Sequence, residues 1–264
     1  MLHRIQQGAC ISCALLCLLV RQAATAAENC LPERFDDTVV VEHIYDGDTV
    51  RLKGGRRVRI IGFDTPEIYY DRSEAEPFAL DAKEALSELV GQGGGRLRLI
   101  YDRERRDHYG RELAHAFTAA EPADSIATAL LGQGLAIALT IPPNDLFIEC
   151  YRAAESGARA AELGLWFLAD KQPVASTLLP PAAEGFRIIS GRIERIGDSQ
   201  PSIWLTLEGG VALRIDRVDL VNFPSGFDPQ EMVGRVVTAR GVIYRQSYEA
   251  RLRIRHPADL IVEE

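Results

Sequence analysis

Two short stretches, Asp46-Gly47-Asp48-Thr49 and Arg59-Ile60-Ile61-Gly62-Phe63-Asp64-Thr65-Pro66-Glu67, place Asp48, Asp64, Glu67 and Arg59 close together along the chain. Further on, Tyr109-Gly110-Arg111 adds a second arginine. This set suits metal-assisted cleavage of a phosphodiester. Asp48 and Asp64 offer the oxygen ligands that a hard divalent cation requires, and Glu67 can accept a proton from an attacking water. Two guanidiniums, permanently charged and rigidly forked, can hold a phosphate and the charge that develops on it.

Taken singly, each motif is also what a turn looks like. Asp-Gly between apolar segments is a hairpin signal, and Thr-Pro-Glu after a strand is a turn or a helix start. An EF-hand reading of Asp46 and Asp48 fails, because Val50 stands at the third acidic position and Arg57 where the bidentate glutamate belongs. The joint pattern of three separated segments in one order carries the weight. In order, spacing and surrounding hydrophobic residues it resembles the staphylococcal nuclease (thermonuclease) family, from about Thr38 to Leu168. The resemblance implies calcium held by Asp48, Asp64 and the main-chain carbonyl of Thr65, with Asp46 in the outer sphere. It implies that Glu67 activates water and that Arg59 and Arg111 contact the scissile phosphate. The implied reaction is endonucleolytic attack on DNA and/or RNA with little sequence preference, leaving 3′-phosphate ends.

One departure concerns binding. After Gly134-Leu135-Ala136 the family presents aromatic residues that stack on the nucleotide, whereas this chain reads Ile137-Ala138-Leu139-Thr140-Ile141. Affinity is then either weaker or falls to Tyr109 and to other aromatics such as Tyr69 and Tyr70, base stacking being worth ~1–3 kcal/mol per base. His108 is either a contact to a terminal phosphate or an exposed loop histidine.

Charge gives little help to a polyanion-binding protein. The formal net charge is −8, and removal of Arg4 and Arg21 with a leader makes it −10. Residues 185–264 hold eleven arginines and eleven acids, so the whole excess falls on the nuclease-like part. Phosphate binding must therefore rest on local clusters rather than on the overall field. Candidates are Arg51, Lys53, Arg56 and Arg57, and Arg103, Arg105 and Arg106.

A leader is expected at residues 1–26: Arg4, an apolar run from Ala9 to Val20, and the small residues Ala24-Thr25-Ala26. This predicts an exported protein, periplasmic or secreted, with no stable membrane insertion after cleavage. Cys10, Cys13 and Cys17 leave with the leader, and Cys30 and Cys150 remain. An even pair in an exported protein suggests one disulfide, with a buried thiol at Cys150 as the alternative.

The elements that must position these residues read as mainly β with helices (α+β). Successive β-branched runs at 39–44, 49–52, 58–63, 97–101 and 114–118 suggest a five-stranded oligonucleotide/oligosaccharide-binding (OB) barrel. Three helices are expected: one with Phe78, Ala82, Leu86 and Leu89 on a face, one over Ile126 to Leu131, and one beginning after Asn144. The catalytic domain thus spans 27–170. A Pro- and Ala-rich linker follows at 171–184, then a second small OB-like barrel at 185–264. There Arg214-Ile215-Asp216-Arg217-Val218-Asp219 echoes Arg59 to Asp64, but no Thr-Pro-Glu follows. This half is expected to be non-catalytic and dispensable for cleavage, its alternating Arg251, Arg253 and Arg255 either facing nucleic acid or pairing with local acids. The competing reading of the whole chain is a nucleic-acid-binding or envelope adaptor protein that keeps the fold with weak catalysis.

Overall fold

The computed structural model describes residues 30–69, 74–246 and 248–263. The expected leader and Tyr70 lie outside them. The first barrel is built from β1 (Asp37–Ile44), β2 (Thr49–Leu52) and β3 (Arg57–Ile60), a short β4 (Phe63–Asp64), then β5 (Arg96–Ile100) and β6 (Glu112–Thr118). Strands β1-β2-β3-β6-β5 close on themselves, antiparallel throughout except for the parallel pair β3–β6. Alternation decides which side chains fill it: Val58 and Ile60 of β3 and Leu97 and Leu99 of β5 are buried, while Arg57 and Arg96 face outward.

Helix α1 (Ala79–Gln92) covers the barrel with Ala82, Leu86 and Leu89, the face set by helical spacing. Helix α2 (Ile126–Gly132) starts on Ser125, whose Oγ accepts the Thr128 N–H at 3.3 Å. Strand β7 (Ile137–Ala138) then pairs antiparallel with β4, and α3 (Ile148–Ala160) follows. This two-residue pairing has no periodicity for a sequence reading to detect, yet it fixes Asp64 opposite Ile137. Cys30 and Cys150 are joined by a disulfide, with their Cα atoms 5.6 Å apart, tying the start of the described chain to α3.

The second barrel repeats the first. After β8 (Val174–Ala175) come β9 (Gly185–Asp198), β10 (Ser202–Leu207), β11 (Ala212–Asp216), β12 (Val236–Gln246), β13 (Glu249–Arg253) and β14 (Leu260–Val262). The cyclic order β9-β10-β11-β13-β12, closed by β9–β12 and containing one parallel pair, β11–β13, matches that of the first. Val174 and Ala175, inside the expected linker, pair with Ile189 and Ser190, so this stretch runs along the second sheet rather than swinging between bodies.

The two barrels are joined by buried contacts. Trp166 (1% exposed), Leu165, Ile137 and Ala158 pack against Ile188, with Phe186 beside them. Within this apolar layer lies a balanced charge quartet: Arg240 is paired with Glu155, and Arg152 with Asp259. Arg240 also donates to the Ala138 carbonyl at 3.0 Å, and Glu155 accepts the Ala138 N–H at 2.7 Å. The second barrel thus clamps β7, the partner of the strand that carries Asp64. The separability expected of residues 185–264 meets a physical obstacle that composition could not reveal.

Candidate active site

The β1–β2 turn is shaped by its own acids. Asp46 Oδ1 accepts the N–H groups of Asp48 at 3.0 Å and Thr49 at 2.7 Å, which turns Asp48 inward. Gly47 is required there because a Cβ would lie 2.7 Å from Thr65 Cγ2 and 2.8 Å from Ala82 Cβ. Asp48 is 1% exposed. Its Oδ2 accepts both the N–H and the hydroxyl of Thr65, at 3.0 and 2.9 Å, and its Oδ1 accepts the Thr49 hydroxyl. A second close approach fixes the β3–β4 corner. Gly62 has φ +96°, and a Cβ there would stand 2.1 Å from the Tyr151 ring, which α3 presses against the turn.

Arg59 joins the acids: one of its terminal nitrogens donates to Asp48 and the other to Asp64. Burial opposes its charge, but Asp48 and Asp64 outweigh this and hold its pKa above the ordinary value. Burial pushes Asp48 up to about 6 despite Arg59, and it raises Asp64 likewise. Glu67 is raised by burial first and then by repulsion from Asp48 and Asp64. One guanidinium among Asp46, Asp48, Asp64 and Glu67 leaves a locally negative, oxygen-rich corner that favours a hard cation. Among the described residues no three His, Cys, Asp or Glu side chains gather as a ready-made metal cluster. Two carboxylates, a main-chain oxygen and water are nevertheless a fitting donor set for such an ion.

A cleft of about 620 Å³ is lined by Arg59, Asp64, Glu67, His108 and Arg111. Leu113, Leu139 and Ile141 give it an aliphatic wall where aromatic stacking is missing. Arg111 reaches the cleft from the loop before β6 through a partner the sequence reading missed. Asp107 accepts the Arg111 N–H and Nε at 2.9 and 2.7 Å, together with the Tyr109 N–H at 3.0 Å. Burial alone would raise Asp107, but the bonds from Arg111 hold it below the usual carboxylate range. The i, i+4 spacing of Asp107 and Arg111 was the available signal. Glu76 was also missed: it accepts the Glu67 N–H at 3.0 Å and the Tyr69 hydroxyl at 2.7 Å, staking down the loop that carries the base.

Tyr109 is 74% exposed and tilts against His108, and the Arg111 guanidinium lies 5.6 Å from the Tyr109 ring centre. The expected basic clusters are largely neutralised within the protein. Arg51 pairs with Glu42, Arg56 with Asp37 and Glu112, Arg103 with Asp145, and Arg106 with Glu112. Arg255, the last of the three alternating arginines in the second barrel, lines the cleft.

A family model described as staphylococcal nuclease homologue matches residues 57–167. A thermonuclease of Staphylococcus intermedius is 35% identical over 134 residues, covering 49% of this chain and 76% of that protein. Endonuclease YncB of Bacillus subtilis is 35% identical over 133 residues, covering 48% of this chain and 61% of that protein. A thermonuclease of Staphylococcus hyicus is 30% identical over 135 residues, with 50% and 76% covered. The family match ends before the second barrel begins.

Proposed function

The chain belongs to the staphylococcal nuclease family, and from that premise we propose an exported, calcium-dependent nuclease that hydrolyses phosphodiester bonds in DNA and/or RNA with little sequence specificity, leaving 3′-phosphate ends. The observation that carries the reading is the convergence of Arg59, Asp64, Glu67 and Arg111 on one cleft, with Asp48 buried behind Arg59. Asp48, Asp64 and the Thr65 carbonyl would hold calcium, with Asp46 in the outer sphere. The ion supplies Lewis-acid polarisation of the phosphate and orientation of water.

The chain's own residues do the rest. A water aligned in the cleft attacks phosphorus while Glu67 takes its proton, the bond from phosphorus to the 5′-oxygen breaks, and the departing 5′-oxygen takes a proton from solvent to leave as a hydroxyl. Arg59 and Arg111 hold the equatorial oxygens as charge builds on them. Asp107 keeps the Arg111 fork oriented, and Glu76 keeps the Glu67 backbone in place. His108 lines the cleft and the exposed Tyr109 tilts against it, so the pair is placed to meet a flanking nucleotide.

The experiment is digestion of plasmid DNA and of RNA by the parent and by Glu67→Gln, with calcium and with chelator. The parent should cleave only with calcium, and Glu67→Gln should be slower by the ~10²–10⁴-fold typical of general-base loss. Equal rates for the two proteins would refute the assignment. End-group analysis of the products tests the 3′-phosphate, and fractionation of the native host tests export.

A further inference from the structure

Strand β13 and the residues just after it alternate arginine with aliphatics. Leu252 and Ile254 point into the second barrel, both fully buried, while Arg251, Arg253 and Arg255 face outward. Two of the three are matched internally. Arg251 pairs with Glu249 at 2.6 Å, and Arg253 with Asp216 at 2.8 Å and Asp219 at 2.9 Å. Arg255 is different. Among the described residues its guanidinium has no hydrogen-bond, ion-pair or ring partner, although it is half-buried and lies in the wall of the cleft that holds Arg59 and Arg111. Withdrawal from water and the neighbouring Arg253 lower its pKa, and Asp219 and Asp216, which are bonded to Arg253, offset this only in part.

The same outward face continues across the sheet. Arg253 is in register with Arg214, and Arg214 with Trp204, so the three form one rung over β13, β11 and β10. The Arg214 and Arg251 guanidiniums lie 5.7 and 4.6 Å from the Trp204 ring centre, and Gly197, opposite on β9, sets no side chain beside the indole. An aromatic face between guanidiniums is what single-stranded nucleic acid uses for base stacking beside its phosphates. Strand spacing and rise put Trp204, the far end of this rung, ~12 Å from Arg255, within reach of a few nucleotides.

We propose that the second barrel extends the substrate cleft for single-stranded nucleic acid: Arg255 binds a backbone phosphate next to the scissile one, and Trp204 stacks on a base further along the same strand. The proposal rests on the nuclease reading of the first barrel. It gives the non-catalytic half a substrate-holding role.

The test is binding of a fluorescent dodecanucleotide and a trinucleotide, in calcium and in the non-cleaving Glu67→Gln background. Affinity is followed by anisotropy across a salt series, with thermal melts to confirm folding. Arg255→Ala should weaken the dodecanucleotide about tenfold and reduce the slope of log affinity against log salt by ~0.7, the value for one single-strand phosphate. Arg255→Lys should keep most of that slope. Trp204→Ala should cost the dodecanucleotide about fivefold more than the trinucleotide. Arg192→Ala, a control that removes an arginine paired with Glu208 outside this track, should leave the dodecanucleotide slope unchanged. Dodecanucleotide affinity and slope unaltered in Arg255→Ala and Trp204→Ala would overturn the proposal. Absence of calcium-dependent cleavage by the parent would instead defeat the nuclease reading, and the binding series would still decide the role of this face.

Discussion

Arg240→Met removes one partner of the pair between the barrels and leaves Glu155 behind. Glu155 is 1% exposed in the assembled structure, and Arg240 supplies its only close cation at hydrogen-bond distance among the described residues. Arg152 stands further off, at 3.8 Å. Breaking a buried pair on one side costs ~3–5 kcal/mol, because a charge is left desolvated. The Ala138 carbonyl loses its donor as well. At ~2–4 °C per kcal/mol for a chain of this size, the melting temperature should fall by about 6–20 °C. The double variant Arg240→Met, Glu155→Gln removes both charges while keeping an acceptor for the Ala138 N–H, and should recover most of the loss. Since β7 holds β4, the single variant should also need more calcium for half-maximal cleavage, as Asp64 loses its fixed position. Calorimetry and a calcium titration of the rate on one protein preparation read both effects. A single variant within 1 kcal/mol of the parent, or a double variant no better than the single, would refute the clamp.

Arg111→Lys keeps charge but loses the fork that Asp107 orients, so saturating-calcium turnover should drop at least tenfold; a parent rate in steady-state assays would remove Arg111 from the chemistry. Asp48→Asn should shift the calcium requirement upward more than it lowers the rate at saturation, and an unchanged calcium midpoint would argue against Asp48 as a ligand. Cys30 and Cys150 are 120 residues apart, and closing so long a loop is typically worth ~2–4 kcal/mol; denaturant melts with and without reductant should differ by that amount, and titration of two free thiols in the unreduced protein would contradict the bridge. Because Asp107 is held below its unfolded value, its contribution is fully present above the ordinary carboxylate range and lost as pH falls through the lowered value. Melting temperatures of the parent and Asp107→Asn should therefore differ at neutral pH and converge only as pH falls below the ordinary Asp value of 3.8, and a constant gap would mean that the carboxylate has no such role.

What the sequence made legible follows from how local each signal is. Barrel strands announce themselves by alternation, and the helices by their apolar faces; those elements stand within a few residues of their expected limits. Asp48, Asp64, Glu67 and Arg59 lie within twenty residues, so their types and order, joined by Arg111 further on, suggest a site. The β4–β7 pair is too short for any period, and its Ala138 is bonded by Glu155 and Arg240, which are 85 residues apart. Arg255 shows the same limit more sharply. In the sequence it is the third of three alternating arginines, indistinguishable from Arg251 and Arg253. Only the fold shows that the first two have acids beside them while the third has the cleft.

That contrast bears on how so acidic a chain handles a polyanion. Around the cleft, Asp64, Glu67, Glu104 and Asp107 face Arg59, Arg111 and Arg255, and most arginines elsewhere on the first barrel are spent on neighbouring carboxylates. A phosphodiester approaching this surface gains little from a long-range field, which salt would screen within ~10 Å in any case. Attraction has to be local. A cation held by Asp48 and Asp64, as proposed, would reverse the sign of the corner around them, and Arg255 adds a fixed positive charge that the first barrel does not supply. Division of the binding energy between a removable ion and an arginine on a second domain would make the proposed cleavage responsive to calcium while the fold keeps the strand's path fixed.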